Sequence, residues 1–219
     1  MSNIVNDVVE DYIRHTLKDA DGLLKELEVF AEENSVPIVH KEVSDLLKVL
    51  LKMQKPQRIL EVGCAIGYSS ILFATTCEGN VDITTCERNP VMIERAKENI
   101  KRAGFENNIR ILEGDAVEQL KNVEGEFDMI FLDAAKGQYK LFYDLVIDKL
   151  KVGGVLISDN ILYKGMIASD DLVVRRKKTI VKRMRNYLDY ICNCDYLTTS
   201  LLPMGDGVAI SYKDSKRGE

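Results

Sequence analysis

The chain has 219 residues, 46% hydrophobic and 30% charged, which fits one globular unit and excludes disordered and fibrous classes. Apolar runs are shorter than the roughly 18 residues of a membrane span. The N-terminus does not predict a secretory signal, and the five cysteines do not predict a disulfide framework. We therefore expect a cytoplasmic protein. The net charge of −5 is uneven, because residues 161–219 carry 11 Lys and Arg against 7 Asp and Glu, a balance that permits an anionic partner at one place.

The first 55 residues predict helices, because apolar residues recur at helical spacing within 8–17, 23–30 and 43–51. We found no internal repeat or linker. We therefore expect a single domain over residues 1–219, with residues 1–55 as a helical N-terminal extension packed on it.

After Pro56, short apolar runs alternate with amphipathic stretches, which is typical of parallel βαβ units in an α/β fold. The five-residue turn at 203–207 is too short for a parallel crossover, so the last pair of strands should be antiparallel. Strands are predicted at 58–62, 82–86, 109–112, 127–132, 155–158, 196–202 and 208–212, and helices at 68–77, 90–103, 116–120, 138–150 and 172–192.

The ends of the first three strands predict an adenosine-binding edge. Gly63 allows close approach of a ligand to the backbone, although such glycines are often only structural. Glu87 is placed to accept hydrogen bonds from a ribose, or else caps a helix. Asp115 follows the third strand and suits an adenine amine, with an N-cap of the next helix as the alternative.

Strands four and five end in Asp133 and in Asp159-Asn160. Two carboxylates and an amide oxygen are hard ligands that suit Mg²⁺ or a similar divalent cation rather than zinc. Without a cation the two carboxylates would repel each other. The alternative is that these side chains only cap helices.

A dense basic run lies between residues 175 and 185, with seven basic residues and no acidic one. Such a run suits an RNA backbone, and the alternative is a solvated helix face. The RNA-contact candidates are Lys164, Arg175, Arg176, Lys177, Lys178, Lys182 and Arg183, with Tyr163 as a further flanking contact.

Taken in order, these motifs resemble the metal-dependent class I O-methyltransferases, which include catechol and caffeoyl-CoA O-methyltransferases. The resemblance covers about residues 36–211 and implies a Rossmann-like methyltransferase fold, with a mostly parallel seven-stranded sheet, an antiparallel last strand and N-terminal helices. It also implies S-adenosyl-L-methionine and Mg²⁺ as cofactors. The matching segments are 61–69 (EVGCAIGYS), 86–89 (CERN), 114–116 (GDA), 133–136 (DAAK), 158–160 (SDN) and 202–211 (LPMGDGVAIS).

Within that family the chain looks most like the bacterial tRNA 5-hydroxyuridine methyltransferases, on segments 32–39, 133–139 and 159–165 and on the basic run. The resemblance implies methylation of the wobble 5-hydroxyuridine to 5-methoxyuridine, with the anticodon region of tRNA as partner, and a homodimer by analogy. Ala135 departs from the D-A-D-K of many small-molecule enzymes, and Cys64 stands where many relatives have Thr.

Carried over by position, the resemblance assigns three sets of residues. The metal ligands are Asp133, Asp159 and Asn160, and Lys136 is the candidate base, acting with Asp133 in catalysis. The cofactor contacts are Val39, Gly63, Ser69, Glu87, Asp115, Ala116 and Asp133.

Three alternatives to this interpretation remain open. A small-molecule O-methyltransferase acting on a catechol-like phenol would share every catalytic residue. A nicotinamide dehydrogenase would need a G-x-G-x-x-G segment that the first strand end lacks. A non-catalytic RNA-binding module would leave the acidic residues at strands four and five unexplained.

Overall fold

The structure, a computed structural model, describes residues 4–218. Residues 1–3 and 219, which the domain prediction includes, lie outside the described residues. No helix within 4–218 combines the length and the apolar character needed to cross a membrane. The helices are α1 (Asp7–Thr16), α2 (Gly22–Asn34), α3 (Lys41–Gln54), α4 (Tyr68–Thr76), α5 (Pro90–Ala103), α6 (Ala116–Lys121), α7 (Tyr139–Val146) and α8 (Lys178–Cys192).

Seven strands form one sheet in the order β3-β2-β1-β4-β5-β7-β6. Strands β1 to β5 are parallel, and β7 runs antiparallel to both β5 and β6. The predicted α/β fold, mostly parallel with an antiparallel last strand, is confirmed. The strands are β1 (Arg58–Val62), β2 (Asp82–Glu87), β3 (Ile109–Glu113), β4 (Phe127–Leu132), β5 (Leu150–Ser158), β6 (Leu197–Leu202) and β7 (Val208–Lys213).

Helices cover both faces of this sheet, as the alternation of elements predicts. One apolar core lies between the sheet and α2 to α5, with Leu47 and Phe73 among its fully buried side chains. The other lies between the sheet and α6 to α8, with Tyr143 and Tyr187. The order of strands reverses between β1 and β4, and the carboxyl ends of these two neighbours form the crevice where ligands bind in such sheets.

Local signals explain where several helices begin and end. Asn89 accepts a hydrogen bond from the Val91 N–H, and Pro90 follows at the first helical position of α5. The same helix ends at Gly104, whose φ of 74° suits a glycine. These signals explain why the predicted bounds of 90–103 match the observed ones.

The predicted helix at 172–192 is wrong at its N-terminal end. Residues Asp170–Leu172 and Arg175–Lys177 form two short 3-10 turns, and the α-helix begins only at Lys178. Val173 and Val174 between the turns have extended backbone. Charge density alone does not predict where a helix begins, because Arg and Lys favour helices without capping them.

Candidate active site

A cavity of about 420 Å³ opens at the carboxyl ends of the parallel strands. That volume lies within the usual range for small-molecule sites. All seven predicted cofactor contacts line it, and so do Lys136 and Asn160. Residues 37–39, which precede α3, close one side of the cavity.

The turn after β1 lets the backbone approach a ligand closely. Gly63 and Gly67 have φ values of 98° and 84°, conformations that favour glycine. A Cβ at Gly63 would lie only 2.5 Å from the carbonyl oxygen of Asp133, so a side chain there would push β1 and β4 apart. The close approach supports a structural role for Gly63, and its predicted contact with a ligand stays a prediction.

Glu87 and Asp115 already accept hydrogen bonds from backbone N–H groups. One oxygen of Glu87 accepts hydrogen bonds from the N–H groups of Arg88 and Asn89, and the other accepts one from the Ala65 N–H. Asp115 accepts a bond from the Val117 N–H and caps α6, as its alternative reading predicted. Both side chains nevertheless line the cavity, and these backbone hydrogen bonds fix the direction in which each carboxylate faces.

The predicted metal residues meet at the ends of β4 and β5. The Asn160 amide donates a 2.9 Å hydrogen bond to Asp133 Oδ1, and the Asn160 N–H donates one of 2.6 Å to Asp159 Oδ1. Asp159 is fully buried. Burial raises its pKa to about 7, and the nearby carboxylate of Asp206 contributes to that rise.

Burial also raises the pKa of Asp133 well above its ordinary value, and the charge of Asp159 adds to that effect. A fully buried carboxylate beside a half-buried one is costly unless a cation or a proton neutralises the charge.

The residues at this position fit a divalent cation. Asp159 Oδ2 is buried and has no hydrogen-bond partner within residues 4–218. The three side chains would each offer the cation an oxygen atom as ligand, which hard cations prefer. The same part of the chain contains no group of three His, Cys, Asp or Glu side chains arranged to hold a metal ion. The candidate site therefore depends on the Asn160 amide as its third ligand.

Lys136 lies at the mouth of the cavity, in a 3-10 turn that follows β4. Its Nζ forms an ion pair with Asp206 Oδ2 at 2.8 Å and lies 5.0 Å from the centre of the Tyr163 ring. Asp206 was not among the predicted site residues. Its place in the Gly-rich turn at 203–207 was noted, but its contact with Lys136 spans 70 positions of sequence and no local pattern reveals it.

Glu61 is a second functional candidate that sequence reasoning missed. Its carboxyl group is fully buried at the end of β1, accepts a hydrogen bond from the Ser70 hydroxyl and leaves Oε1 without a partner among residues 4–218. Burial raises its pKa. The sequence offers one signal for it, an acidic residue inside the apolar strand that opens the 61–69 segment.

The predicted RNA contacts lie beside the cavity and not inside it. Lys177 Nζ is 5.6 Å from the centre of the same Tyr163 ring that Lys136 contacts. Arg183 donates a hydrogen bond of 3.4 Å to the Gly137 carbonyl, in the turn that carries Lys136. The exposed side chains of this basic surface are Lys164, Arg175, Arg176, Lys178, Lys182 and Arg183, with Lys177 half-buried.

Comparison with known proteins relates the whole arrangement to characterised enzymes. A family model described as O-methyltransferase matches residues 15–214. A catechol O-methyltransferase of Niastella koreensis is 29% identical over 177 residues, covering 78% of this chain and 80% of its own length.

Two solved structures have the same fold. A putative caffeoyl-CoA O-methyltransferase from Staphylococcus aureus superposes with a TM-score of 0.84 at 40% identity, covering 94% of this chain and 98% of its own. A SAH-bound methyltransferase of Podospora anserina has a TM-score of 0.86 at 24% identity, with 95% of each chain covered.

Proposed function

Because this chain belongs to the O-methyltransferase family and is an S-adenosylmethionine-dependent enzyme, we propose that it methylates the 5-hydroxyl group of 5-hydroxyuridine at the wobble position of tRNA. The observation that carries this proposal is the basic surface beside the cavity. Seven cationic side chains stand within one short stretch of the chain, and two of them contact the turn or the ring that borders Lys136. A phosphate backbone bound there would bring a flipped base to the cavity.

The seven cofactor residues would hold S-adenosylmethionine in the cavity, with Glu87 at the ribose and Asp115 at the adenine. Gly63 would lie beside the methionyl part, in a left-handed backbone conformation that favours glycine. Residues 37–39 and the first residues of α4 line the same cavity and would shield the bound cofactor from solvent.

Asp133, Asp159 and Asn160 would hold the divalent cation, which when bound lowers the pKa of a coordinated hydroxyl group and fixes its position. The 5-hydroxyl and the 4-carbonyl of 5-hydroxyuracil are adjacent oxygens that suit such a site.

During transfer the sulfur–methyl bond breaks and an oxygen–methyl bond forms, while the hydroxyl proton passes to the amine of Lys136. General-base help of this kind contributes about 10²–10⁴-fold to a rate. The products are S-adenosylhomocysteine and a methyl ether, and the proton then leaves Lys136 to solvent.

A catechol-like phenol is the second candidate substrate. It offers the same pair of adjacent oxygens, and the named relatives include a catechol O-methyltransferase. This alternative makes no use of the basic surface. It therefore predicts turnover of free catechols that does not change when the basic side chains are neutralised.

Nucleoside analysis of tRNA from cells that lack this protein distinguishes the two substrates. We expect 5-methoxyuridine to disappear and 5-hydroxyuridine to accumulate, and re-expression of the protein to restore the methylated nucleoside. Unchanged 5-methoxyuridine would remove tRNA as the substrate and leave the catechol alternative.

A further inference from the structure

The turn at 203–207 joins β6 to β7 and brings Asp206 to the mouth of the cavity. Asp206 Oδ2 lies 2.8 Å from Lys136 Nζ, and the Asp206 side chain is only 12% exposed. A partly buried ion pair is screened less by water and salt than a surface pair. The contact therefore restricts a lysine side chain that otherwise has four rotatable bonds.

The second oxygen of this carboxylate reaches the loop that follows β5. Asp206 Oδ1 accepts a hydrogen bond from the Lys164 N–H, and Lys164 has a left-handed backbone with φ of 58°. That loop begins with Asp159 and Asn160. One carboxylate thus connects the candidate base to the segment that carries two candidate metal ligands.

The two loops do not need the Asp206 side chain to stay together. The Leu162 N–H donates to the Asp206 carbonyl at 2.9 Å, and the Ile161 N–H donates to the Gly207 carbonyl at 3.0 Å. The left-handed Gly207 packs against Leu162, since a Cβ there would lie 2.4 Å from Leu162 Cγ. Backbone bonds and packing therefore hold the turn, which leaves the carboxylate available to orient Lys136.

Aromatic and charged side chains lie near the Lys136 amine. The face of the Tyr163 ring lies on one side, and Lys177 contacts the same ring. The charges of Asp133 and Asp159 interact with Lys136 from the ends of β4 and β5. Asp206 is the acidic side chain in direct hydrogen-bond contact with the amine.

We propose that Asp206 is a positioning residue: its carboxylate holds the Lys136 ammonium at the mouth of the cavity in the resting protein. It holds the ammonium again when Lys136, after losing that proton to solvent, has accepted the hydroxyl proton. The role of Lys136 as base rests on the proposed function, whereas the orientation of its amine does not. An aspartate that orients a histidine base acts in the same physical way in serine proteases.

Nuclear magnetic resonance tests the orientation without a substrate. In protein labelled with ¹⁵N-lysine, we expect a slowly exchanging ammonium signal that the Lys136→Arg variant removes and thereby assigns. Asp206→Asn should abolish that signal. Asp144→Asn is the matched control, because Asp144 pairs with Lys140 on the exposed face of α7, and it should leave the signal unchanged. A Lys136 signal that persists in Asp206→Asn overturns the positioning role.

A double-mutant cycle on kcat tests the catalytic consequence. The two candidate substrates are an anticodon stem-loop RNA carrying 5-hydroxyuridine and free catechol. The cycle is measured with the one that the enzyme methylates. We expect Asp206→Asn to lower kcat about 10–100-fold, with the Kd for S-adenosylmethionine and the substrate KM within about two-fold. In a Lys136→Met background the same substitution should have no further effect.

The outcomes separate the two proposals. If Lys136→Met leaves kcat unchanged, Lys136 is not the base, and the part of the positioning proposal that concerns the ammonium fails with it. If Lys136→Met is slow and Asp206→Asn is as fast as wild type, only the positioning proposal fails. Equal losses from Asp206→Asn in both backgrounds would mean that Asp206 acts independently of Lys136, which also contradicts it.

Discussion

Asp159 presents a buried carboxylate oxygen without a protein partner among residues 4–218, beside a second raised-pKa carboxyl group on the neighbouring strand. Such an arrangement costs stability in the protein without bound metal, because the Asp159 carboxylate loses its hydration and the two groups repel each other when both are ionised. Residues kept at a cost to stability are characteristic of functional sites.

Asp159→Asn should therefore stabilise the metal-free protein and abolish turnover. The amide keeps an acceptor for the Asn160 N–H but removes the repulsion with Asp133, so we expect the free energy of unfolding at neutral pH to rise by about 1–3 kcal/mol. Thermal unfolding in excess chelator measures the first effect and methyl-transfer assays the second. S-adenosylmethionine binding should survive, and a variant that is both less stable and fully active contradicts the interpretation.

At the residue scale, the sequence alone predicted the cavity residues that stand at the end of a strand. Gly63, Glu87, Asp133 and Asn160 reach the cavity because parallel strands end at one edge. Asp206 and its ion pair with Lys136 were not predictable, because the register of the β6–β7 hairpin against β5 sets where that turn lies. Long-range packing determines such contacts, and neither secondary-structure propensity nor residue spacing predicts them.

Helix α8 illustrates what charge patterning predicts about an element and what it does not. Met184 and Tyr187 are buried in the core on one face of the sheet, and Val181 is buried against the loop that follows β5. Lys182 and Arg183 are exposed, which fits the amphipathic pattern. Arg185, one of the seven basic residues in the run, instead pairs with Asp170 and donates to the Ile167 carbonyl. That side chain holds the loop between β5 and α8, so its charge is less available to a ligand than the charges of Lys182 and Arg183.

Neutralising two exposed lysines of α8 should weaken RNA binding selectively. We expect the Lys178→Gln/Lys182→Gln variant to raise the KM for anticodon RNA and to reduce the slope of log affinity against log salt by about 1–2. The matched control is Lys52→Gln/Lys101→Gln, which removes two exposed charges from helices remote in sequence. Equal effects of the two variants would mean that the basic surface makes no specific contribution.

The N-terminal helix α1 is attached to the rest of the protein by polar contacts. It has no buried residue, and Val8 and Tyr12 are 76% and 71% exposed. Arg14 forms an ion pair with the buried Glu42 at 2.8 Å, and Lys41 donates to the Arg14 and Leu17 carbonyls at the end of the helix. Helix propensity and spacing predicted this element but not how it is anchored.

Arg14→Ala should release α1 without unfolding the remainder. We expect hydrogen exchange of the α1 amides to become at least about 10-fold faster, because the local opening loses its strongest tether. Amides of β1 and β4 should exchange at the wild-type rate. Lys25→Ala, which removes an exposed pair with Glu28 on α2, is the control, and unchanged α1 protection in Arg14→Ala would show that other contacts hold the helix.

In the molecule as a whole, the carboxyl ends of the parallel strands bring together residues from most of the chain. The alternation of strands and helices predicted this edge, and the reversal of strand order between β1 and β4 explains why the cavity forms there. The exposed apolar side chains of α1 are compatible with the proposed homodimer. Sedimentation at several concentrations measures that assembly directly, and a monomer at all of them would remove it.

Metal dependence of methyl transfer tests the central claim, that the ends of β4 and β5 hold a cation beside the cofactor cavity. Purified protein is dialysed against chelator and assayed with labelled S-adenosylmethionine and with RNA carrying 5-hydroxyuridine, then with catechol. We expect no product in chelator, and recovery of one methyl group per acceptor when Mg²⁺ is restored. Equal rates with and without chelator would contradict the account.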